Sequence, residues 1–428
     1  MTGDALAMPQ RRGACPGLSA PMPTGDGLLA RLQPIGTIPL AAFAAVCAAT
    51  RRHGNGVIEI TSRGSLQIRG LSATSAPRFA ADIAALDIVA EDGVAICCNP
   101  LAGLDAAEIF DSSVLAGELR HALTQASLAP KLSGKVSVAI DGGGVLGLVH
   151  LAADIRLGAQ MKSGVVAVAV GGDFATANPL GVVSRPDAVE AVTRLLDVLA
   201  KRGRDARARD IVATEGIAAF QHALTELLIG EALPRPMRRS AEAIGLHGLR
   251  DGSLACGVAL AFGHADATAL ERLVEAAATC GANGLGTAPG RTLFAIGMTP
   301  DTASAFAGAA GRLGFIVRAD DPRRSVVACA GAPICASAHI AARKLAPVIA
   351  NEIAPHCGGN FTVHLSGCAK GCAHAAPAAL TVVGTPDGCA LVADGSARDA
   401  PFALVATDEL PVAIAQSLRE RKREGAHV

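Results

Sequence analysis

Four cysteines sit in two short Gly/Ala-rich segments. RRSVVACAGAPICAS (323–337) carries Cys329 and Cys335, six positions apart, and HLSGCAKGCAHAAP (364–377) carries Cys368 and Cys372, four apart. Thiolates so grouped are ligands for soft metals, and two chemistries compete for them. Structural zinc takes cysteine pairs at C-x2–4-C spacing, usually in polar loops. An iron–sulfur cluster also takes four thiolates, and small neighbours leave room for a cubane and let backbone N–H groups donate to its sulfurs. A C-x5-C spacing enclosing Ala-Gly-Ala-Pro-Ile is unusual for zinc, so the pattern favours a cluster. The remaining cysteines read as packing. Cys47, Cys256 and Cys280 lie in Ala/Val-rich patterns, and Cys389, Cys15 and Cys98 are read with them as buried small hydrophobes. Cys357 is expected to stay outside the ligand set.

A second stretch has the period of a ligand-facing strand. In GVIEITSRGSLQIRG (56–70) the aliphatics Ile58, Ile60, Leu66 and Ile68 alternate with Glu59, Arg63, Gln67 and Arg69. A period of two places one set on the packed face and the other where it can meet a ligand.

The elements that must position these residues are written twice. Residues 27–70 align without gaps on 254–297, at a constant offset of 227. Each copy reads strand, helix, Gly-rich turn, strand, then a second helix (76–87 against 303–314). That order is an α+β, ferredoxin-like half-unit. The correspondence continues with KVSVAIDGGG (135–144) against NFTVHLSGCA (360–369), so the chain reads as a duplication with its joint near 235–250. Four segments are expected: 13–90 and 250–318 as the ferredoxin-like copies, and 91–235 and 319–405 as the larger α/β segments that follow them. A pseudo-twofold should relate the copies, with strands 57–69 and 284–296 in one sheet and their loops on a shared cleft. The copies differ where it matters: the first reads DGGG and CCNPLAG, the second SGCAKGC and CAGAPIC.

Composition removes several function classes. Lys plus Arg and Asp plus Glu both number 38, which argues against a nucleic-acid binder. Trp and Tyr are absent and Phe numbers 11, leaving little stacking surface for single strands or sugars. The longest apolar stretch, 39–49, falls short of the roughly 18 residues a membrane helix needs, and the first residues lack an apolar signal core. A cytoplasmic protein without membrane contact is expected. Neither GDGLLA (25–30) nor GNGVIE (54–59) completes a dinucleotide-binding fingerprint, so electrons should come from a separate donor.

C-x5-C followed after about thirty residues by C-x3-C, on a duplicated chain, resembles the sulfite and nitrite reductases that couple a [4Fe-4S] cluster to sirohaem. The resemblance covers about residues 13–400 and implies nitrite/sulfite-reductase ferredoxin-like half-domains with two sirohaem-type α/β domains. It makes Cys329, Cys335, Cys368 and Cys372 the cluster ligands, with Cys372 as the bridge to a sirohaem iron. The reductases converge four basic residues on their anion. Here those positions are Arg63, Asp92, Lys135 and Ser137, a poor set for a small dianion. The departures fit a relative: CPGLSAPMPTGDGLLARL (15–32), VAIDGGG (138–144), ACAGAPICASA (328–338) and HLSGCAKGCAHAAPAALTVVG (364–384) closely resemble the precorrin-3B synthase family.

That resemblance implies an O2-dependent monooxygenase of aerobic cobalamin biosynthesis, which hydroxylates precorrin-3A and closes a γ-lactone. Sulfite or nitrite reduction is the alternative, and a non-catalytic tetrapyrrole or cluster carrier a third reading. A tetrapyrrole rimmed with carboxylates calls for arginines that grip bidentately, and Arg63, Arg69, Lys135 and Arg291 are the expected contacts. Arg323 and Arg324 precede the cluster loop and are further candidates, while Lys370 lies between ligands and suits charge balance. A closed-shell precorrin does not react directly with triplet dioxygen, so a one-electron partner is needed. A fully ligated cluster has no open iron position, which leaves a retained sirohaem or a mononuclear non-haem iron. The latter wants two His and a carboxylate. His150 and Asp154, four apart, are candidates, with His364 and His374 flanking the cluster cysteines. The electron donor is expected to be an NADH-linked reductase or a ferredoxin or flavodoxin.

Overall fold

A computed structural model of the chain describes residues 16–91, 93–160, 164–231, 241–356, 361–374 and 376–423. Two compact units result: residues 91–241 form one, and residues 17–90 with 242–428 the other.

The second unit holds the two ferredoxin-like copies, each a five-stranded antiparallel sheet backed by two helices. The first sheet runs Met22–Thr24, Gly27–Leu32, Leu66–Leu71, Val57–Ile60, His264–Asp266. The second runs Gly245–Gly248, Leu254–Ala259, Thr292–Met298, Gly284–Ala288, Thr37–Pro39. The last strand of each sheet therefore comes from the other copy. The exchange is reciprocal and register-matched: Val57 pairs with Asp266 and Ile58 with Ala265, while Gly284 pairs with Pro39 and Leu285 with Ile38. A shift of 227 converts one set of partners into the other, the relation that a two-fold axis produces.

This corrects the expected single sheet. Strands Val57–Ile60 and Gly284–Ala288 cannot pair with each other, because an exchanged strand already occupies the free edge of each. The halves are nonetheless not separate. Each exchanged strand runs directly into a helix, Leu40–His53 or Ala267–Thr279, and these two helices pack together, with an Arg51–Glu271 ion pair between them. Phe43 and Phe79 from one copy and Phe306 and Leu273 from the other lie in one continuous buried core. Each such side chain contributes about 1.5–3 kcal/mol by leaving water.

His264 opens an exchanged strand, and burial, reinforced by the Arg343 guanidinium, pushes its imidazole down to about 4 from 6.5. The folded state holds it neutral, so the unfolded chain takes up that proton first as pH falls. Urea stability should be flat above pH 6.5 and decline toward pH 4. His264→Asn should make that decline shallower, His364 contributing in the same range; an unchanged slope would remove His264 from the cause.

The two larger segments share one topology. In the second unit Val326–Ala328, Val363–Ser366 and Ala378–Thr385 run parallel, followed by antiparallel Gly388–Gly395 and Ala403–Val405. In the first unit Ala95–Cys98, Ser137–Asp141 and Ala153–Ala159 run parallel, followed by antiparallel Val165–Gly172, Asn178–Ser184 and Leu228–Gly230. Helix Ala342–Ile353 connects the first two strands in one case and Ser112–Ala126 in the other. Among the described residues no helix is long and apolar enough to cross a membrane.

Candidate functional site

Adjacent parallel strands bring the two cysteine segments together. Cys329 follows Val326–Ala328 and Cys368 follows Val363–Ser366, so both loops leave at the carboxyl ends of neighbouring strands, where ligands of α/β sheets bind. The loops are stitched: Cys329 N donates to Leu365 O at 3.1 Å and His339 N to Gly367 O at 2.8 Å. The 329–340 loop closes on itself through Cys335 N to Gly331 O and Ala332 N to Ile340 O, both 2.8 Å. Each loop turns on a glycine in the left-handed region, Gly331 at φ 68° and Gly371 at φ 62°.

The four thiols converge. Cys372 feels the charge of Cys368, Cys329 and Cys335, and Cys329 that of Cys335 and Cys368. Burial pushes Cys329 and Cys372 up, and the neighbouring sulfurs push further in the same direction. Gly367 N donates to Cys329 Sγ at 3.1 Å, and Lys370 draws Cys372 down while its Nζ donates to Ser337 Oγ at 2.9 Å across the loops. Four neighbouring thiols, served by backbone donors and one lysine, call for a cationic metal group.

Among the described residues no three His, Cys, Asp or Glu side chains are placed to hold a single ion. Four thiols on two stitched loops are a donor set that a multi-iron group takes. His364 supports the same fit. It is fully buried, its Cε1 lies under Gly371, and among the described residues neither ring nitrogen has a partner. Burial, with His374 and Arg291 adding to it, pushes the imidazole down to about 4, so one N–H remains to be satisfied. An unmet buried donor costs about 1–3 kcal/mol, which an acceptor such as cluster sulfide would relieve. A [4Fe-4S] cluster fits these residues.

The expected substrate arginines divide. Arg63 is partly exposed in the turn between Val57–Ile60 and Leu66–Leu71, not on a strand, so alternation does not set its direction. That turn meets its counterpart from the other copy, Gly290 N donating to Ser62 O at 3.1 Å. Arg69, expected as a substrate contact, is buried and paired with Asp26 at 3.1 Å and Glu59 at 3.8 Å. Its strand face is indeed polar, but Glu59 accepts from Gln67 and Arg343, so the face packs against protein. Arg291 Nη2 donates to Ala373 O at 3.1 Å, a protein partner where a carboxylate was expected. Arg323 pairs with Asp321 and Arg324 with Glu242. Asp26, Glu59 and Arg343 were missed by sequence reasoning, although the polar period at 59, 67 and 69 was their signal.

In the other unit Lys135 is exposed in the turn before Ser137–Asp141, and Ser137 is buried within that strand. Where the second copy has thiols, the first ties its glycine loop down with a carboxylate: Asp141 accepts from Asn99 at 3.2 Å and from Gly143 N at 2.9 Å. His150 and Asp154, the pair expected for a mononuclear iron, have different surroundings. His150 is exposed in a turn, whereas Asp154 is buried on a strand with both oxygens taken, Oδ1 by Arg207 Nε and Ala208 N and Oδ2 by Arg207 Nη2 and Ser137 N. Asp154→Ala should cost about 3–5 kcal/mol in urea melts, by stranding Arg207, with iron content per folded protein unchanged. Iron loss at full stability would restore the ligand role. Asp92 and Cys357 lie outside the described residues.

Comparison with known proteins agrees with this architecture. Residues 20–86 match the family described as nitrite/sulfite reductase ferredoxin-like half domain, and residues 91–231 the nitrite and sulphite reductase 4Fe-4S domain. The second match falls on the copy that lacks the four cysteines. The solved Mycobacterium tuberculosis NirA protein shares the fold at a TM-score of 0.76 and 20% identity, covering 92% of this chain and 80% of that one. A ferredoxin–nitrite reductase of Synechococcus elongatus is 35% identical over 131 residues, 28% of this chain and 26% of its own. A precorrin-3B synthase from Sinorhizobium sp is 41% identical over 415 residues, 96% of this chain and 88% of its own. With identity at that level along nearly the whole length of both, the chain belongs to the precorrin-3B synthase family, within the nitrite and sulfite reductase superfamily.

Proposed function

We propose that the protein is an oxidoreductase that hydroxylates precorrin-3A with O2 and forms the γ-lactone of precorrin-3B. The observation that carries this is the family match across 96% of the chain, joined to four converging thiols and a built donor shell. Placing one oxygen atom of O2 on the substrate and reducing the other to water takes two electrons and two protons, so an external donor of ferredoxin or NADH-linked type is required. Cys329, Cys335, Cys368 and Cys372 would hold the [4Fe-4S] cluster, which when bound supplies one-electron transfer. Gly367 N and Lys370 offset negative charge at these thiolates. Arg63, partly exposed at its hairpin turn, is the residue we assign to a substrate carboxylate. Sulfite or nitrite reduction is the weaker reading, since Ser137 is buried in a strand and supplies no charge.

The test is anaerobic purification, an optical spectrum, and incubation with precorrin-3A, O2 and a reductant. A product heavier by one oxygen atom is expected. Sharp sirohaem bands together with sulfite or nitrite turnover and no precorrin conversion would move the assignment to the reductases.

A further inference from the structure

Two arginines, one from each ferredoxin-like copy, end on carbonyl oxygens that flank ligand cysteines. Arg69 Nη2 donates to Ile334 O at 3.3 Å, one residue before Cys335. Arg291 Nη2 donates to Ala373 O at 3.1 Å, one residue after Cys372. They are not repeat equivalents: the 227 offset pairs Arg69 with Ile296 and Arg291 with Gly64. Each copy thus reaches a different cysteine loop by its own route.

Both arginines are held. Asp26 grips the Arg69 fork, accepting from Nε at 3.3 Å and Nη2 at 3.1 Å. Glu59 stands behind it and binds Arg343, on the helix Ala342–Ile353 that follows the first cysteine loop. Beside Asp26, the chain presses directly on the same loop: a Cβ at Gly25 would lie 2.7 Å from Ala336 N and 2.8 Å from Ile334 O. Arg291 crosses Gly263 closely enough that a Cβ there would lie 2.5 Å from its Cδ.

We propose that Arg69, with Asp26 and Gly25, and Arg291 are positioning residues for the cluster, so that the ferredoxin-like pair acts as a clamp on the loops carrying Cys335 and Cys372. The clamp rests on the assignment of the four cysteines as cluster ligands. Its physics is that of a shell outside the ligands. Each guanidinium fixes a loop carbonyl and so the adjacent sulfur, and each places positive charge near a group that gains negative charge on reduction. Loss of either arginine should free its loop and make reduction harder.

The test uses the full chain with its cluster reconstituted anaerobically. Three readouts apply: iron release to a chelator, the electron paramagnetic resonance spectrum of the reduced protein, and the midpoint potential. Arg69→Met and Arg291→Met should release iron about tenfold faster, the equivalent of one charge-assisted hydrogen bond, with altered g values and a lower potential. Gly25→Ala should speed release and alter the g values with no change of charge. Arg69→Lys should restore the potential and not the g values. Arg52→Ala, which breaks an exposed ion pair with Asp82 in the same unit, is the control and should match wild type. Folded arginine variants with wild-type release, spectrum and potential overturn the clamp. If Arg69→Met does not fold, a wild-type result for Gly25→Ala overturns it instead. A wild-type chain that takes up no cluster overturns the ligand assignment beneath it.

Discussion

Cys335→Ser should yield a chain that folds but, after anaerobic reconstitution, lacks the broad visible absorption, the iron and the sulfide of a [4Fe-4S] protein. The same outcome is expected for Cys329→Ser, Cys368→Ser and Cys372→Ser, because a serine hydroxyl is a far weaker ligand for iron than a thiolate. Cys280→Ala, in the ferredoxin-like core, should retain full iron and sulfide, and so should Cys357→Ser. The contrast tests the set rather than any one residue. Burial and mutual repulsion push the thiols Cys329 and Cys372 up, so ionising them costs free energy that the cluster's binding offsets. Removing the cluster from the wild type should therefore loosen the 329–340 and 367–374 loops, readable as faster backbone amide exchange there. Iron and sulfide retained in any of the four serine variants, or lost in both controls, would show that the ligands are misassigned.

The ligand loops were legible because metal chemistry leaves a fixed spacing of rare residues in the chain. The duplication was legible for a related reason: a constant offset of 227 survives in the order of elements even where side chains have changed. The sheet pairing was not. A three-residue strand such as Thr37–Pro39 carries no periodic signal, and which sheet it joins depends on where the other copy's edge lies. Polar faces misled for a different reason. The alternation at Glu59, Gln67 and Arg69 was read correctly as one face, but alternation says only that two faces differ. Whether the polar one meets solvent, substrate or another part of the protein is set by long-range contacts such as Arg343 with Glu59 and Arg69 with Ile334. Asp154 shows the same limit: its four-residue spacing from His150 suggested a shared face, and the structure places them in a turn and a strand, with Arg207 claiming the carboxylate.

Arg63, partly exposed on its turn, is the proposed substrate anchor, and its removal should be felt in binding. Arg63→Ala should weaken precorrin-3A affinity by about 1.5–3 kcal/mol, roughly 10- to 150-fold in Kd, the range for losing a largely desolvated charge-assisted pair. Arg63→Lys should recover part of that loss, since it keeps the charge and gives up the planar fork. The cluster should be untouched. Arg63 makes the turn, but the contact across the pseudo-twofold runs through the Ser62 carbonyl and Gly290 N, which substitution at the next side chain leaves in place. Iron content and the spectrum of the reduced protein therefore serve as the internal control, in contrast to Arg69 and Arg291, where those readouts should move. The two differ in burial: Arg69 is enclosed with two carboxylates, whereas Arg63 is partly exposed on its turn. Equilibrium binding of precorrin-3A to the anaerobic, cluster-loaded protein decides it. Wild-type affinity in Arg63→Ala would remove it from the substrate site.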